Sequence, residues 1–536
     1  MDPAAAMLDR VLGVLSGARA AVRAHGGEPL ARYAAALAAP AGPALQSRDD
    51  LLDEAAALAG RLLGPEAAQA LLRTLDAHPA ALTANHHGAD FAPQSFSGTL
   101  LTALPALLGP ESGRAVPVLA CGAVPLGSYA FARGILLARR PPQGPDADPR
   151  DWPAGRKVPV FPWKYRYTLA LAAPPLARDM VARARDAVRD AAQAGDLGRA
   201  EARALDVLLA EDFGDPAVLS LPRYSDQATV LNARLWDRLF SSPGGGPEAG
   251  NGSRLAYLEL EALAGRLLAR DLADPHSLFH AVLLDPRLRS LVLESLDRAA
   301  GCWDLGRLAA LAAGEGDGQG NDALRGSGTA FFWGVDAKGR KAPLHLAQAG
   351  AGDGSRVELR GKGLGGDTVA VPLAPGPLAE ALAQGRITPG LFAAYGCLAF
   401  ARGLRCLGGV YQADYLPAMR AGLARALAAA GDAERAHVVA AAPAGEFAAG
   451  PEFLFARYAD GRVFPAGPVE VMANGGLTRA MVEQCGNMTL AQGLRAGLAE
   501  LYAEFTPRDQ RAPDWRAAAD PPAAGPGCPV ILDIPD

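Results

Sequence analysis

At 536 residues the chain is longer than a single hydrophobic core supports, so two or three subdomains, or one large α/β core with insertions, are expected. The formal charge is −5, with 52 basic and 57 acidic residues mixed along the chain, which argues against a nucleic-acid partner needing a dense basic surface. The six cysteines show no CxxC spacing, and no uncharged apolar stretch reaches the roughly 18 residues of a bilayer span, so neither a zinc ribbon, a disulfide framework nor a membrane is expected.

The start, "MDPAAAMLDRVLGVL", has no basic region before its apolar residues, so it does not read as a secretory signal, and the expected location is cytoplasmic. Residues 1–77 read as an N-terminal helical segment. "LLDEAAALAGRLL" and "PEAAQALLRTLDAH" repeat apolar residues at three-and-four spacing, and Pro65 suits a first helical turn. Residues 78–240 read as the first part of an α/β core. In it "PAALTAN" is a short strand, "QSFSGTLLTALPALLG" a helix with a kink or early end at Pro105, and "AVPVLACGAVPL" a second strand. Five prolines without periodicity make 140–157 a loop, and the Arg/Asp face of 176–213 predicts an exposed amphipathic helical hairpin.

The Gly-rich stretches 241–253 and 312–329 bracket a helical block at 254–311. Residues 328–516 read as β-hairpins and a second α/β part. One hairpin turns at Lys338-Gly339, and a pair of strands is expected in "SRVELRGKGLGGDTVAVPL". "LRCLGGVYQ" then reads as a strand before a helix, "VEVMANGGLTRAMVEQC" as a weaker strand-turn-helix unit, and Thr489 as the N-cap of a last helix. Residues 517–536 are a C-terminal tail. The expected fold class is α/β: a Rossmann-like strand-loop-helix core with large helical insertions and a β-hairpin-rich segment.

Chemistry concentrates in "LTANHHGADFAPQSFSG", residues 82–98, which follows the first strand. Loops at the carboxyl ends of parallel strands line ligand crevices, and the helix after them offers free amides. Here His86 and His87 are candidate proton-transfer or phosphate-contacting groups and Asp90 an orienting acid, with Asn85, Gln94 and Ser97 as substrate-binding groups. The alternative is that Asn85, Asp90 and Ser95 only cap and turn the chain. A second cluster, "GSYAFARG" with "FPWKYRYT", offers Arg133, Lys164 and Tyr165 as an anion clamp with an aromatic wall, or else a solvated strand edge. A third, "CLGGVYQADYLP", offers Gly409, Gln412, Asp414 and Tyr415, although Asp414 in a first helical turn is also explained by the helix dipole.

His276 and His280 stand four apart, a weak metal-ligand spacing that Asp274 or Asp285 would supplement, and no metal site is assigned. Neither a P-loop, a GxGxxG opening a helix nor a GxSxG elbow is present, so the cofactor stays unassigned. The expected function is that of a cytoplasmic transferase-like or ligase-like enzyme acting on a small anionic metabolite through the His-His-Gly loop. The alternatives are a metal-dependent hydrolase on the same histidines and a non-catalytic ligand-binding or assembly protein. The expected partner is a small-molecule substrate, with neither nucleic acid nor membrane, and a homodimer is the default assembly.

Overall fold

Five apolar runs of three to six residues pair into one sheet, all neighbours parallel. They are β1 (Ala80–Leu82), β2 (Ala115–Ala120), β3 (Arg254–Glu259), β4 (Arg405–Gly409) and β5 (Phe447–Ala449), ordered β5-β4-β1-β2-β3. The chain therefore begins in the middle, winds outward to β3, and returns beside β1 to wind the other way. That is a doubly wound, Rossmann-like α/β core. The structure is a computed structural model describing residues 2–39, 42–128, 130–140, 154–240, 250–313, 328–348, 357–521 and 527–535. Of the loop expected at 140–157, residues 141–153 lie outside the described residues, as do most of both Gly-rich stretches and part of the C-terminal tail, while the ends of that loop are strand, Gly134–Arg140 pairing antiparallel with Ala154–Pro159.

The strands are uninterrupted apolar runs because both sheet faces are covered. Ala81, Ala115, Leu119, Ala256 and Leu258 pack into one core, while Leu82, Val116, Val118, Leu255 and Tyr257 pack into another. Successive residues thus alternate between two interiors rather than between interior and solvent. On the first face lie the helices Asp49–Leu63, Pro65–Ala77 and α3 (Leu260–Ala273), through Leu58, Leu71 and Leu267 among others. On the second lie α1 (Pro93–Leu108) and the end of α2 (Tyr224–Phe240), through Phe96, Leu100, Leu104 and Trp236. The helix α4 (Gln412–Ala430) follows β4. No described helix is long and apolar enough to cross a membrane.

The expected hairpin at 176–213 forms from Arg178–Gln193 and Arg199–Val207, with Val181, Ala184 and Val188 buried and ion pairs such as Arg185–Asp206 outside. Phe332–Val335 pairs antiparallel with Lys341–Pro343 across the Lys338-Gly339 turn, and Val357–Lys362 with Thr368–Pro372. Thr489 caps Leu490–Ala496 as expected. Three expectations are corrected. The segment 254–311 opens with β3, since "RLAYLE" is a short buried run that periodicity alone does not separate from the helix after it. "PVEVMA" is a helix, Pro468–Ala473, because Glu470 in its first turn accepts from the Gly467 amide at 2.9 Å. And α1 runs through Pro105 to Leu108: the proline falls in its last turn, where one backbone bond is forfeited in a nearly fully buried helix.

One buried cation ties these layers together. Arg402, 0% exposed, donates to Asp50 Oδ1 and Oδ2 at 2.9 and 2.6 Å and to Asp271 Oδ1 and Oδ2 at 2.7 and 3.2 Å. It joins the N-terminal helices, α3 and the turn that leads into β4. Removing one partner of a buried pair strands the other's charge, so Arg402→Met is expected to cost about 3–5 kcal/mol in urea unfolding. Asp50→Asn, at the partly exposed end, is expected to cost less than half of that.

Candidate functional site

All five strands end at the same edge, and the winding reverses between β1 and β4. A cleft of about 540 Å³ opens there, within the roughly 300–1,000 Å³ usual for small-molecule sites. Thr83, Asn85 and His86 enter it from β1, Gln94 and Ser95 from the start of α1, Cys121 from β2, Glu261 from α3, Gly409 and Gln412 from β4 and its helix, and Trp333, Lys341 and Tyr395 from the later insertions.

The polar loop after β1 is pinned by its neighbours. The Cys121 amide donates to the Asn85 carbonyl and the His87 amide to the Cys121 carbonyl, both at 2.8 Å, so β1 and β2 resume pairing past Leu82. Gly88 makes the following turn at φ +150°, where a Cβ would stand 2.7 Å from that of Ala132. Asn85 Nδ2 donates to Asp90 Oδ2 and Thr99 Oγ1 at 3.0 Å each, and Tyr257 of β3 donates to Asp90 Oδ2 at 3.0 Å and to the His86 carbonyl at 2.9 Å. Burial outweighs these donors and pushes the Asp90 carboxyl up to about 7. Asn85 Oδ1 and His86 Nδ1 are buried without a hydrogen-bond partner. Burial, then the Lys341 charge, press His86 down to about 4, so it faces the cleft as a neutral imidazole.

His87 turns away from the cleft. Its Nε2 lies 3.1 Å from the Ser225 carbonyl and 3.0 Å from the Ser225 hydroxyl, and that hydroxyl donates to Glu259 at the end of β3. Burial holds His87 down near 4, and burial with the neighbouring Glu261 pushes Glu259 up to about 7. This chain of polar groups is packed beneath the site floor.

On the far wall, Glu261 accepts from the Gly122 and Ala123 amides at 2.6 and 3.0 Å and from the Cys121 thiol at 3.0 Å. Burial and Glu261 raise Cys121 well above an ordinary thiol, which disfavours its thiolate. Lys341 is the only lysine or arginine among the described residues that line the cleft, and its Nζ rests 4.6 Å from the Trp333 ring centroid without an ion pair; burial lowers its proton affinity, and Cys121 and Glu261 oppose that. Gln412 is saturated: its Nε2 donates to Thr83 Oγ1 at 2.7 Å and its Oε1 accepts from Tyr395 at 3.0 Å. A Cβ at residue 408 would come within 2.6 Å of the Gln412 side chain, which explains that glycine.

Of the residues expected from the sequence, Asn85, His86, Gln94, Gly409, Gln412 and Tyr415 meet in the cleft. His87 and Ser97 are buried outside its lining, and Asp90 borders a separate void of about 20 Å³. Asp414 accepts from Ser16 Oγ and the Gly17 amide, both at 2.6 Å, and so fastens α4 to the N-terminal helices. Arg133, Lys164 and Tyr165 do not line the cleft, and Tyr129 lies outside the described residues. His276 precedes the helix Leu278–Leu284 that holds His280, so the two do not share a helical face, and Asp274 and Asp285 cap turns. No group of three or more His, Cys, Asp or Glu among the described residues is arranged to hold a metal ion.

Lys341, Glu261, Trp333 and Tyr395 were not legible as site residues, since none sits in a motif. No protein-family model matches the chain, and no curated protein or solved structure is significantly similar to it. The site is therefore read from its own residues.

The native Glu259 keeps its proton up to about 7, whereas the unfolded chain releases it near 4.3, so this group lowers stability as pH rises through that window. Asp90 acts in the same sense. In unfolding measured from pH 4.5 to 7.5, where His86 and His87 act in the opposite sense, Glu259→Gln is expected to remove up to about 3 kcal/mol of pH-dependent loss relative to wild type. An unchanged slope would refute the protonated Glu259.

Proposed function

We propose that the chain is an enzyme that binds a small anionic metabolite in this cleft and acts on it by group transfer or ligation. The observation that carries the reading is Lys341, an amine with no carboxylate in ion-pair contact, beside a neutral His86 at the carboxyl edge of the sheet; burial disfavours its charge, and a bound anion favours it. The α1 and α4 helices both begin there, and their free amides and positive dipole ends add to the attraction for an anion. Lys341 takes the anion-holding role expected of Arg133 and Lys164. Asn85 Oδ1 and Gln94 would bond polar groups of the substrate, and Trp333, Tyr395 and Tyr415 would cover its organic part.

In this reading His86 accepts a proton from the reacting group. An imidazole that is neutral at pH 7 is ready to do so, and a bound anion that offsets the Lys341 charge strengthens it as a base. Asn85 holds the loop through Asp90 and Thr99, fixing where His86 stands.

The test is thermal stability of the purified protein against a panel of anionic metabolites and nucleotides. A ligand at about 100 times its Kd is expected to add roughly 2.7 kcal/mol. Lys341→Met is expected to lose that shift while melting normally, and His86→Gln to keep the shift and lose turnover. If an anion still stabilises Lys341→Met fully, the anion is not held in this cleft by Lys341 and the reading fails.

A further inference from the structure

The residues expected to clamp an anion form a surface of their own outside the cleft lining, on the turn Trp163–Tyr165 and the adjoining hairpin. The Arg133 guanidinium lies 4.9 Å from the Trp163 ring centroid and 5.3 Å from that of Phe131. The Arg166 guanidinium lies 4.8 Å from Trp163 and 4.3 Å from Tyr167. Lys157 stands 5.2 Å over Phe131 and Lys164 5.0 Å over Tyr165. Among the described residues none of these four cations is paired with a carboxylate, whereas Arg183, Arg185 and Arg189 on the neighbouring exposed hairpin all are.

Two further observations point to an anion as the ligand. Arg133 is nine-tenths buried, at 9% exposure, and its Nε has no acceptor. The Ser128 hydroxyl is also buried without a partner, and Ser128 adjoins Gly127, whose amide donates to the Arg166 carbonyl at 2.9 Å. Two like charges against one indole repel each other, and burial together with Arg166 disfavours the Arg133 cation. The rings hold the guanidinium groups by their faces, and among the described residues only one nitrogen of each is spent on a backbone oxygen, that of Phe161 for Arg133 and of Trp163 for Arg166. The remaining N–H edges match the fork geometry that binds oxyanions. Because cations already cover these rings, the surface does not suit stacked bases.

We propose that Arg133 and Arg166, braced on Trp163, form a second anion site whose ligand is a phosphate group. Two guanidinium charges match the charge of about −1.5 to −2 that a phosphate monoester carries near pH 7. Exposed Trp163 and Tyr167, at 65% and 40%, flank the site and contact whatever bears the phosphate. A free phosphate ester and a phospholipid headgroup present the same chemistry.

The probe is inorganic phosphate, titrated at constant ionic strength against chloride while tryptophan fluorescence is read. Wild type is expected to give a saturable change that Trp163→Phe abolishes. Arg166→Gln, at a residue less buried than Arg133, is expected to weaken the response at least tenfold with an unchanged melting curve. Arg133→Lys, which keeps the charge and loses the fork, is expected to weaken it less. Sedimentation with phosphatidic acid vesicles, against phosphatidylcholine alone, then separates the sources. Arg166-dependent capture identifies a headgroup, and binding of phosphate without capture identifies a soluble ester. The site is overturned if chloride reproduces the change, if Arg166→Gln responds like wild type, or if folded wild type gives no saturable response.

Discussion

A parallel sheet covered on both faces leaves one edge where polar side chains gather without disturbing a core. Here that constraint organises everything else. Residues as distant in sequence as Asn85, Glu261, Lys341 and Gln412 share one cleft because each follows a strand, or an insertion, that ends at the carboxyl edge. The winding reverses between β1 and β4, the point in an open α/β sheet where ligand crevices form.

Holding this edge rigid takes polar groups inside the protein, where each must be bonded or costs stability. Two networks serve that end. Arg402 with Asp50 and Asp271 locks the chain before β4 against α3 and the N-terminal helices. Gln412, Thr83 and Tyr395 lock the first turn of α4 against the end of β1. Both join segments that later convergence depends on, and both leave few unbonded atoms. Asn85 Oδ1 and His86 Nδ1, buried without a partner, lie in residues that line the cleft, whereas others such as Gln46 Oε1, His87 Nδ1 and His345 Nδ1 lie away from it.

Much of the fold was legible because its signals are local. Caps, turn glycines and apolar spacing marked the Thr489 helix, the 338–339 hairpin and the strand at 405–409 within a few residues. β3 escaped because a buried parallel strand has no alternation to distinguish it from a helix, and "RLAYLE" runs directly into "LEALAG". The site divides in the same way. His86, Asn85 and Gln94 announced themselves as a dense polar stretch after a strand. Lys341 did not, because nothing within its hairpin distinguishes a cleft lysine from a solvated one, and its place depends on where the insertion docks. Asp414 was the converse: a first-turn acid whose partners, Ser16 and Gly17, lie near the other end of the sequence.

The electrostatics of the floor then follow from burial. Asp90 and Glu259 are driven toward their protonated forms and His86 and His87 toward neutral imidazole, so four titratable groups around the loop carry little charge near neutral pH. The same burial acts on Lys341 and disfavours its charge against the pull of Glu261, so an anion that enters the cleft favours the protonated amine. The same proximity works in reverse on His86. Lys341 depresses its proton affinity when the cleft is empty of counter-charge, and an anion on Lys341 relieves that pressure. In the proposed reading, anion binding and proton uptake by His86 are thus coupled through these two side chains.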